Sequence, residues 1–124
     1  MPNPTPNSGK VSTHVLDTTL GGPAAGMSIT CWKIEGEQAT QIGDMVTNSD
    51  GRTDELVLSG EDMQVGVYEL RFDVAGYFTA RGTELPDPPF LSEVPIRFGI
   101  ADADAGYHVP LLCSPWSYST YRGS

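Results

Sequence analysis

Short runs that alternate between apolar and polar residues, each closed by a turn, recur through most of this 124-residue chain. The clearest lies at residues 65–73, where Tyr68, Leu70 and Phe72 fall on one face of a strand. Runs spaced about 8–12 residues apart, with turn residues between them, are typical of a β-sandwich or a barrel. The sequence therefore predicts an all-β domain of eight strands. They are residues 11–16, 27–34, 41–47, 55–58, 65–73, 95–100, 107–113 and 116–121.

The segments outside these strands set the boundaries of the domain. Residues 75–81, just before Gly82, are the one predicted helix, and residues 86–89 form a loop because their prolines donate no ladder hydrogen bond. Residues 1–10 contain three prolines and no apolar run, so we expect a flexible N-terminal tail rather than a secretion signal. A single domain at residues 11–124 and a cytoplasmic location are therefore expected.

The charge of the chain argues against several classes of partner. Sixteen acidic and seven basic residues give a formal net charge of −9. This charge opposes binding to nucleic acid and to anionic membranes, both of which need clustered Lys and Arg. No stretch approaches the roughly 20 apolar residues that cross a bilayer. The two cysteines, Cys31 and Cys113, lie in apolar runs, so we expect both to be buried free thiols.

Two histidines are the first candidates for chemistry. His14 shares a strand face with Ser12 and Leu16, and His108 lies in a second predicted strand. Each alone fits an ordinary, partly exposed strand residue, but two imidazoles on faces that meet could transfer protons near neutral pH. Arg52, after Asp50 and Gly51, is on its own an ordinary turn arginine.

Other kinds of site have little support in the sequence. There is no Cys-x-x-Cys or His-x-x-x-His spacing, so we expect neither a metal site nor a cofactor. The last residues are more unusual, because strand-forming residues 116–121 run directly into Arg122, Gly123 and Ser124. Such an ending suggests a segment that is held in place. The residues by themselves indicate a β-sandwich with two suggestive histidines.

Three motifs resemble the transthyretin-like family, over about residues 10–124. The terminal Tyr-Arg-Gly-Ser on this framework is very specific for its 5-hydroxyisourate hydrolase branch. The matching segments are residues 11–17 (VSTHVLD) with 22–24 (GPA), residues 50–52 (DGR), and residues 107–112 (YHVPLL), 114–115 (SP) and 118–124 (YSTYRGS).

The resemblance implies a sandwich of two four-stranded sheets with one short helix. It also implies a homotetramer, a dimer of dimers, with active sites in a channel at the dimer–dimer interface. The implied reaction is hydrolysis of 5-hydroxyisourate to 2-oxo-4-hydroxy-4-carboxy-5-ureidoimidazoline in urate degradation, without a cofactor. The resemblance assigns His14, Arg52 and His108 to catalysis. It assigns His14, Arg52, Tyr121, Arg122, Gly123 and Ser124 to substrate binding.

Two other functions compete with the hydrolase. A transthyretin-like carrier would bind small hydrophobic molecules in the same channel, but carriers have lysine, glutamate and two threonines at the positions of His14, Arg52, His108 and Tyr121. A generic interaction module would not bring the two histidines together. One departure from the family is Gly106, where members commonly have a further histidine. The base could be either histidine, and we favour His14, with His108 aligning water or substrate.

Overall fold

The computed structural model describes residues 8–123, which form two layers of β-sheet and one short helix. A single 3-10 turn, Gly60–Asp62, follows the sixth strand. In chain order the strands are β1 (Lys10–Ser12), β2 (Val15–Asp17), β3 (Gly22–Pro23), β4 (Ser28–Glu35), β5 (Gln38–Val46), β6 (Leu58–Ser59), β7 (Gly66–Asp73), β8 (Glu93–Ile100), β9 (Gly106–His108), β10 (Leu111–Cys113) and β11 (Tyr118–Ser119), and the helix is α1 (Val74–Ala80).

One layer is a four-stranded antiparallel sheet in the order β5–β4–β7–β8. The β4–β5 hairpin closes over two residues, and the first of them, Gly36, has φ +61°. Tight hairpin turns require such positive φ values, which glycine adopts without strain. The alternation in β7 is as predicted: Tyr68, Leu70 and Phe72 are all at most 1% exposed.

The second layer carries the candidate site residues. It contains the hydrogen-bonded groups β6–β1–β9 and β11–β10–β2–β3, with β1 parallel to β9 and β2 parallel to β10. Val109 N donates to Ser12 O at 2.8 Å and Leu111 N donates to His14 O at 3.0 Å, so the parallel pairing runs through both groups. The predicted all-β sandwich with one short helix is confirmed. The second sheet is split into two groups because the predicted strand at residues 11–16 is interrupted. Between β1 and β2 the chain pairs with residues 50–52 instead.

The final strand is shorter than predicted. Residues 116–121 were expected to be extended throughout, but β11 contains only two residues. The register that pairs Leu112 with Ser119 and His108 with Gly123 places Pro110 opposite Tyr121. Proline donates no hydrogen bond, so the ladder stops there. The Thr120 hydroxyl donates to Pro110 O at 2.7 Å instead.

The helix ties the two layers together through a buried acid. Asp73 caps α1 by accepting from Gly76 N at 3.0 Å. From the helix, the Tyr77 hydroxyl donates to Asp17 at 2.8 Å, and both residues are at most 3% exposed. Apolar side chains fill the rest of the interlayer space. They include Val11, Val15, Met27, Ile29, Cys31, Tyr68, Leu70, Phe72, Val94, Tyr107, Val109, Leu111 and Cys113.

Several predicted boundaries shift by a few residues. The helix begins at Val74 rather than residue 75, and the strand expected at 55–58 is reduced to β6. β1 begins at Lys10, inside the expected tail, because Lys10 N donates to Ala105 O at 3.2 Å. The rest of that tail up to residue 7 lies outside the described residues. Over residues 8–123, no helix has the length and apolar character required to span a membrane.

Candidate active site

The turn at residues 48–52 positions the first two site residues. The Asn48 side-chain oxygen accepts from Asp50 N at 2.9 Å and from Arg52 N at 3.2 Å. Gly51 has φ +76°, and a Cβ there would collide with Val15 O. Only glycine fits this position, since it tolerates both the left-handed backbone and the close approach. The turn then pairs with the first strand segment through a bridge between Arg52 and His14.

The turn also determines which nitrogen of His14 is free. His14 Nε2 lies 2.8 Å from Asp50 O. A carbonyl oxygen only accepts hydrogen bonds, so the proton of the neutral imidazole must be on Nε2. Nδ1 is left with a lone pair. His14 can therefore accept a proton at Nδ1 while the Asp50 carbonyl holds the other side of the ring.

His108 lies on the neighbouring strand, directly opposite Ser12. Its Nδ1 is 2.9 Å from the Ser12 hydroxyl oxygen. Burial holds the pKa of His108 below its usual value of 6.5, and the positive charge of Arg52, together with that of His14 whenever His14 is protonated, lowers it further. His108 is consequently neutral at pH 7, so its imidazole keeps a lone pair there.

The last described residues fall on both sides of the sheet. Gly123 pairs with His108, and the same register places Tyr121 on the His108 face. Arg122 faces the other way: its guanidinium lies 4.4 Å from the centre of the Tyr107 ring and donates to Gly106 O at 3.2 Å. Ser124 lies outside the described residues. The structure thus brings Tyr121 and Gly123 to the face of the histidines, whereas the Arg122 side chain lies against Tyr107 and borders the same hollow as His108 and Tyr121.

Together these pairings assemble one site from four segments of the chain. His14 lies two residues beyond Ser12, which pairs with His108, so the two histidines are diagonal neighbours on one sheet face. The face is open: Tyr121 is 61% exposed, and two hollows of about 310 Å³ and 230 Å³ lie beside it. The first is lined by His108, Tyr121 and Arg122, and the second by Ser12 and Arg52. Neither hollow encloses the whole set.

The other reactive groups of the described chain lie elsewhere. Both cysteines are buried and free as predicted, and burial raises the pKa of Cys31 to about 11 and that of Cys113 to about 12. Such thiols stay protonated and are poor nucleophiles. A larger hollow of about 450 Å³, with Asp44 and Asp54 on its wall, contains none of the candidate residues. Proton transfer by imidazole beside a fixed cation is the chemistry that this molecule offers.

Sequence reasoning did not assign a role to Ser12. The alternation placed Ser12 on the face of His14, which was the only local signal. Its contact with His108 depends on the parallel pairing of two segments 96 residues apart. No periodicity within either strand specifies that register.

A β-sandwich that carries two histidines and an arginine on one sheet face is the class of protein that the fold and the site define. The chain belongs to the HIUase/Transthyretin family, whose model matches residues 11–123. Two bacterial relatives match over nearly their whole length. The 5-hydroxyisourate hydrolase of Pseudomonas aeruginosa is 54% identical, over 94% of this chain and 92% of the relative. The 5-hydroxyisourate hydrolase 2 of Rhizobium meliloti is 55% identical, over 94% and 98%.

Solved structures show the same fold. A crystal structure of (S)-allantoin synthase is 46% identical with a TM-score of 0.90, but this chain, 97% covered, spans only 45% of that longer chain. The 5-hydroxyisourate hydrolase of Klebsiella pneumoniae is 32% identical with a TM-score of 0.75, covering 93% of this chain and 99% of its own. Sea bream transthyretin in complex with thyroxine is 27% identical with a TM-score of 0.80, covering 92% and 94%.

Proposed function

We propose that this chain hydrolyses 5-hydroxyisourate at the sheet face that carries His14, Arg52 and His108. The activity is the one named for relatives that are 54% and 55% identical over almost the full chain. The observation that carries the assignment of the site is the pairing of His14 with Arg52, beside a neutral His108. The reaction opens the cyclic ureide at an amide bond and gives 2-oxo-4-hydroxy-4-carboxy-5-ureidoimidazoline, a step of urate degradation.

The carrier function is less well supported. Sea bream transthyretin, solved with thyroxine, shares the fold but is only 27% identical. A pocket for an apolar ligand is lined mainly by hydrophobic groups. Here the same face presents two imidazoles and a guanidinium, which suit a polar substrate that exchanges protons.

In the mechanism, His14 is the general base. Its Nδ1 has the free lone pair, because Nε2 donates to Asp50 O. Nδ1 removes a proton from water as the water attacks the ring carbonyl, and the Asp50 carbonyl stabilises the resulting imidazolium. A positioned base of this kind contributes roughly 10²–10⁴-fold to the rate.

Arg52 and His108 act on the other reacting atoms. The Arg52 guanidinium is a permanent planar cation, so it orients the ureide oxygens and stabilises the negative charge that develops on the attacked carbonyl oxygen. His108 is neutral and aligns the water or the substrate through Nε2, since Nδ1 faces Ser12. The proton held by His14 then passes to the departing ring nitrogen. No cofactor takes part in these steps.

The end of the chain supplies the wall of the pocket. Tyr121 lies on the His108 face and is 61% exposed, so its ring and hydroxyl are free to contact the substrate. We include Gly123 and Ser124 in the same wall. Arg122 belongs to the substrate-binding set as well, although within the single chain its guanidinium packs over the Tyr107 ring.

Assembly and location complete the proposal. The site is a flat, open face on one protomer, so a second copy would be needed to enclose a small substrate. We therefore propose a homotetramer, a dimer of dimers, with active sites at the dimer–dimer interface. One domain over residues 11–124 accords with the family match at residues 11–123. A cytoplasmic location is supported by both cysteines being free thiols, as a reducing compartment favours.

The decisive experiment is a direct assay. 5-Hydroxyisourate is generated freshly from urate with urate oxidase, and its ultraviolet decay is followed with and without this protein. Decay faster than the spontaneous rate is expected, and His14→Asn should lose roughly 10²–10⁴-fold of the acceleration. Spontaneous decay alone would contradict the proposed function, and tight binding of thyroxine without hydrolysis would favour the carrier. Light scattering of the same sample tests for the tetramer.

A further inference from the structure

Two residues contact opposite edges of the His108 imidazole. On one edge, the Ser12 hydroxyl oxygen lies 2.9 Å from Nδ1. Both residues are partly buried, and the β1–β9 register places them directly opposite each other. A hydroxyl can donate to or accept from a ring nitrogen, so this contact persists whether the imidazole is neutral or charged.

On the other edge lies Gly123. Its backbone N donates to His108 O at 2.8 Å, which fixes the two backbones side by side. A Cβ on Gly123 would lie 2.5 Å from Cδ2, 2.9 Å from Cβ and 3.0 Å from Cγ of His108. Real side chains do not approach so closely, so any residue larger than glycine displaces the ring or the strand.

Position 123 requires glycine because a side chain would collide with His108, and not because of its backbone conformation. Gly123 is absent from the set of glycines with positive φ, so other residues could adopt its backbone conformation. Gly106 provides the comparison, since it lies two residues before His108 and a Cβ there would meet nothing within 4 Å. The close approach to the imidazole is therefore particular to Gly123.

The segment that carries Gly123 is itself anchored. The preceding Arg122 lies with its guanidinium 4.4 Å from the Tyr107 ring centre and donates to Gly106 O at 3.2 Å. Both partners belong to the strand that carries His108. This anchor keeps Gly123 against the imidazole from the opposite face of the sheet.

We propose that Ser12 and Gly123 are positioning residues that fix the His108 ring and leave Nε2 as its reacting nitrogen. Nδ1 and Cδ2 are the two ring atoms bonded to Cγ. The Ser12 hydrogen bond to Nδ1 disfavours turning the ring over, because that would place Cδ2 against the hydroxyl, and glycine at 123 leaves the space that the ring occupies in this position. If the ring turned over, Nε2 would exchange places with Cε1 and no longer face the substrate. This inference rests on the proposed function for its kinetic consequence, but the ring geometry can be tested without it.

The test compares two pairs of variants. Ser12→Ala removes the hydroxyl and Ser12→Thr keeps it; Gly123→Ala adds the crowded Cβ and Gly106→Ala adds one in open space. For hydrolysis of 5-hydroxyisourate, Ser12→Ala should lower kcat about tenfold or more with little change in KM, since a mispositioned acid–base group forfeits part of its roughly 10²–10⁴-fold contribution. Gly123→Ala should lower kcat about a hundredfold through displacement of the ring. Ser12→Thr and Gly106→Ala should retain wild-type rates.

Proton NMR of the His108 ring supplies a readout that does not depend on activity. In wild type and Ser12→Thr the proton on Cδ2 should show a nuclear Overhauser effect to the Gly123 α protons, because the Cδ2 edge faces Gly123; in Ser12→Ala this effect should weaken as the ring turns over. An unchanged Overhauser effect in Ser12→Ala would overturn the proposal, whatever its kcat. If the wild type fails to hydrolyse 5-hydroxyisourate but the NMR result holds, the proposed function fails and the ring geometry stands. If Gly123→Ala does not fold, as judged by circular dichroism, the comparison of Ser12→Ala with Ser12→Thr still tests the proposal.

Discussion

Replacing Tyr77 with phenylalanine removes one of the hydrogen-bond donors to the buried Asp17 carboxylate and leaves the aromatic ring in place. The Tyr77 hydroxyl donates to Asp17 at 2.8 Å, and Asp17 is 0% exposed. Burial alone would raise the pKa of Asp17, but hydrogen bonds from Thr19, Tyr77 and Leu20 outweigh it and lower the pKa below 3.8. The acid is therefore ionised at pH 7. A hydrogen bond to a charged group is worth about 1.5–3 kcal/mol, so we expect a loss of about 2 kcal/mol in the free energy of unfolding.

Tyr68 offers a matched control. It is 1% exposed, and its hydroxyl donates to the neutral Gln64 carbonyl oxygen at 3.0 Å. Tyr68→Phe should therefore cost only about 1 kcal/mol. For a domain of this size, Tyr77→Phe should lower Tm by roughly 6–10 °C and Tyr68→Phe by about half as much. Both are measured by calorimetry at one protomer concentration, because assembly shifts Tm.

The pH dependence separates the two bonds. A carboxyl whose folded pKa is lowered stabilises the fold above its unfolded pKa, and this contribution disappears as pH falls through the folded pKa. The cost of Tyr77→Phe should thus stay constant from pH 7 down to roughly pH 4, near the unfolded pKa of an aspartate. It should fall towards that of Tyr68→Phe only as the pH drops further, through the lowered folded pKa of Asp17, as followed by urea unfolding. Equal costs for the two variants at pH 7, or a Tyr77→Phe cost that does not change in acid, would refute the charged role of Asp17.

Three further predictions concern the site. Arg52→Lys should lower kcat about a hundredfold in the ultraviolet assay, since lysine is a point charge without the planar fork, and a wild-type kcat would contradict that role. In a pH–rate profile, kcat/KM should fall on the acid side, because both imidazoles must be neutral to act. Arg52→Gln should move the part of the limb that belongs to His108, whose pKa lies below 6.5, to higher pH, because it removes a positive charge that lowers that pKa. Gly51→Ala should lower both Tm and kcat, as the added Cβ collides with Val15 O beside His14, whereas Gly36→Ala, at an open positive-φ turn, should lower Tm alone.

The strands that could be predicted are those with a strict alternation. In β7 the buried Tyr68, Leu70 and Phe72 match the sequence pattern residue by residue. The final strand could not be delimited in the same way. Its own residues 116–121 favour an extended conformation, but a turn between Ser114 and Ser117 delays its start and Pro110, which faces it across the ladder, ends it. A strand boundary imposed by a neighbour is not encoded in the strand itself.

The candidate site, too, was predictable only in part from local sequence. The Asp50-Gly51-Arg52 sequence indicates a turn, and the structure pairs Arg52 of that turn directly with His14. By contrast, the contact between Ser12 and His108 joins segments that are 96 residues apart. The resemblance to a family indicated which residues matter, but the reason for Gly123 became visible only once His108 lay beside it.

The parallel pairing of β1 with β9 also has a consequence for biosynthesis. β1 contains Lys10–Ser12, and its parallel partner Gly106–His108 leaves the ribosome almost a hundred residues later. During that interval one edge of the first strand has no partner, and unpaired strand edges favour association with other chains. Translation at about 5–20 residues per second makes this interval about 5–20 s. The candidate site of a nascent chain is therefore incomplete until the segment that carries His108 and Gly123 has emerged, and chaperone demand should be greatest just before that point.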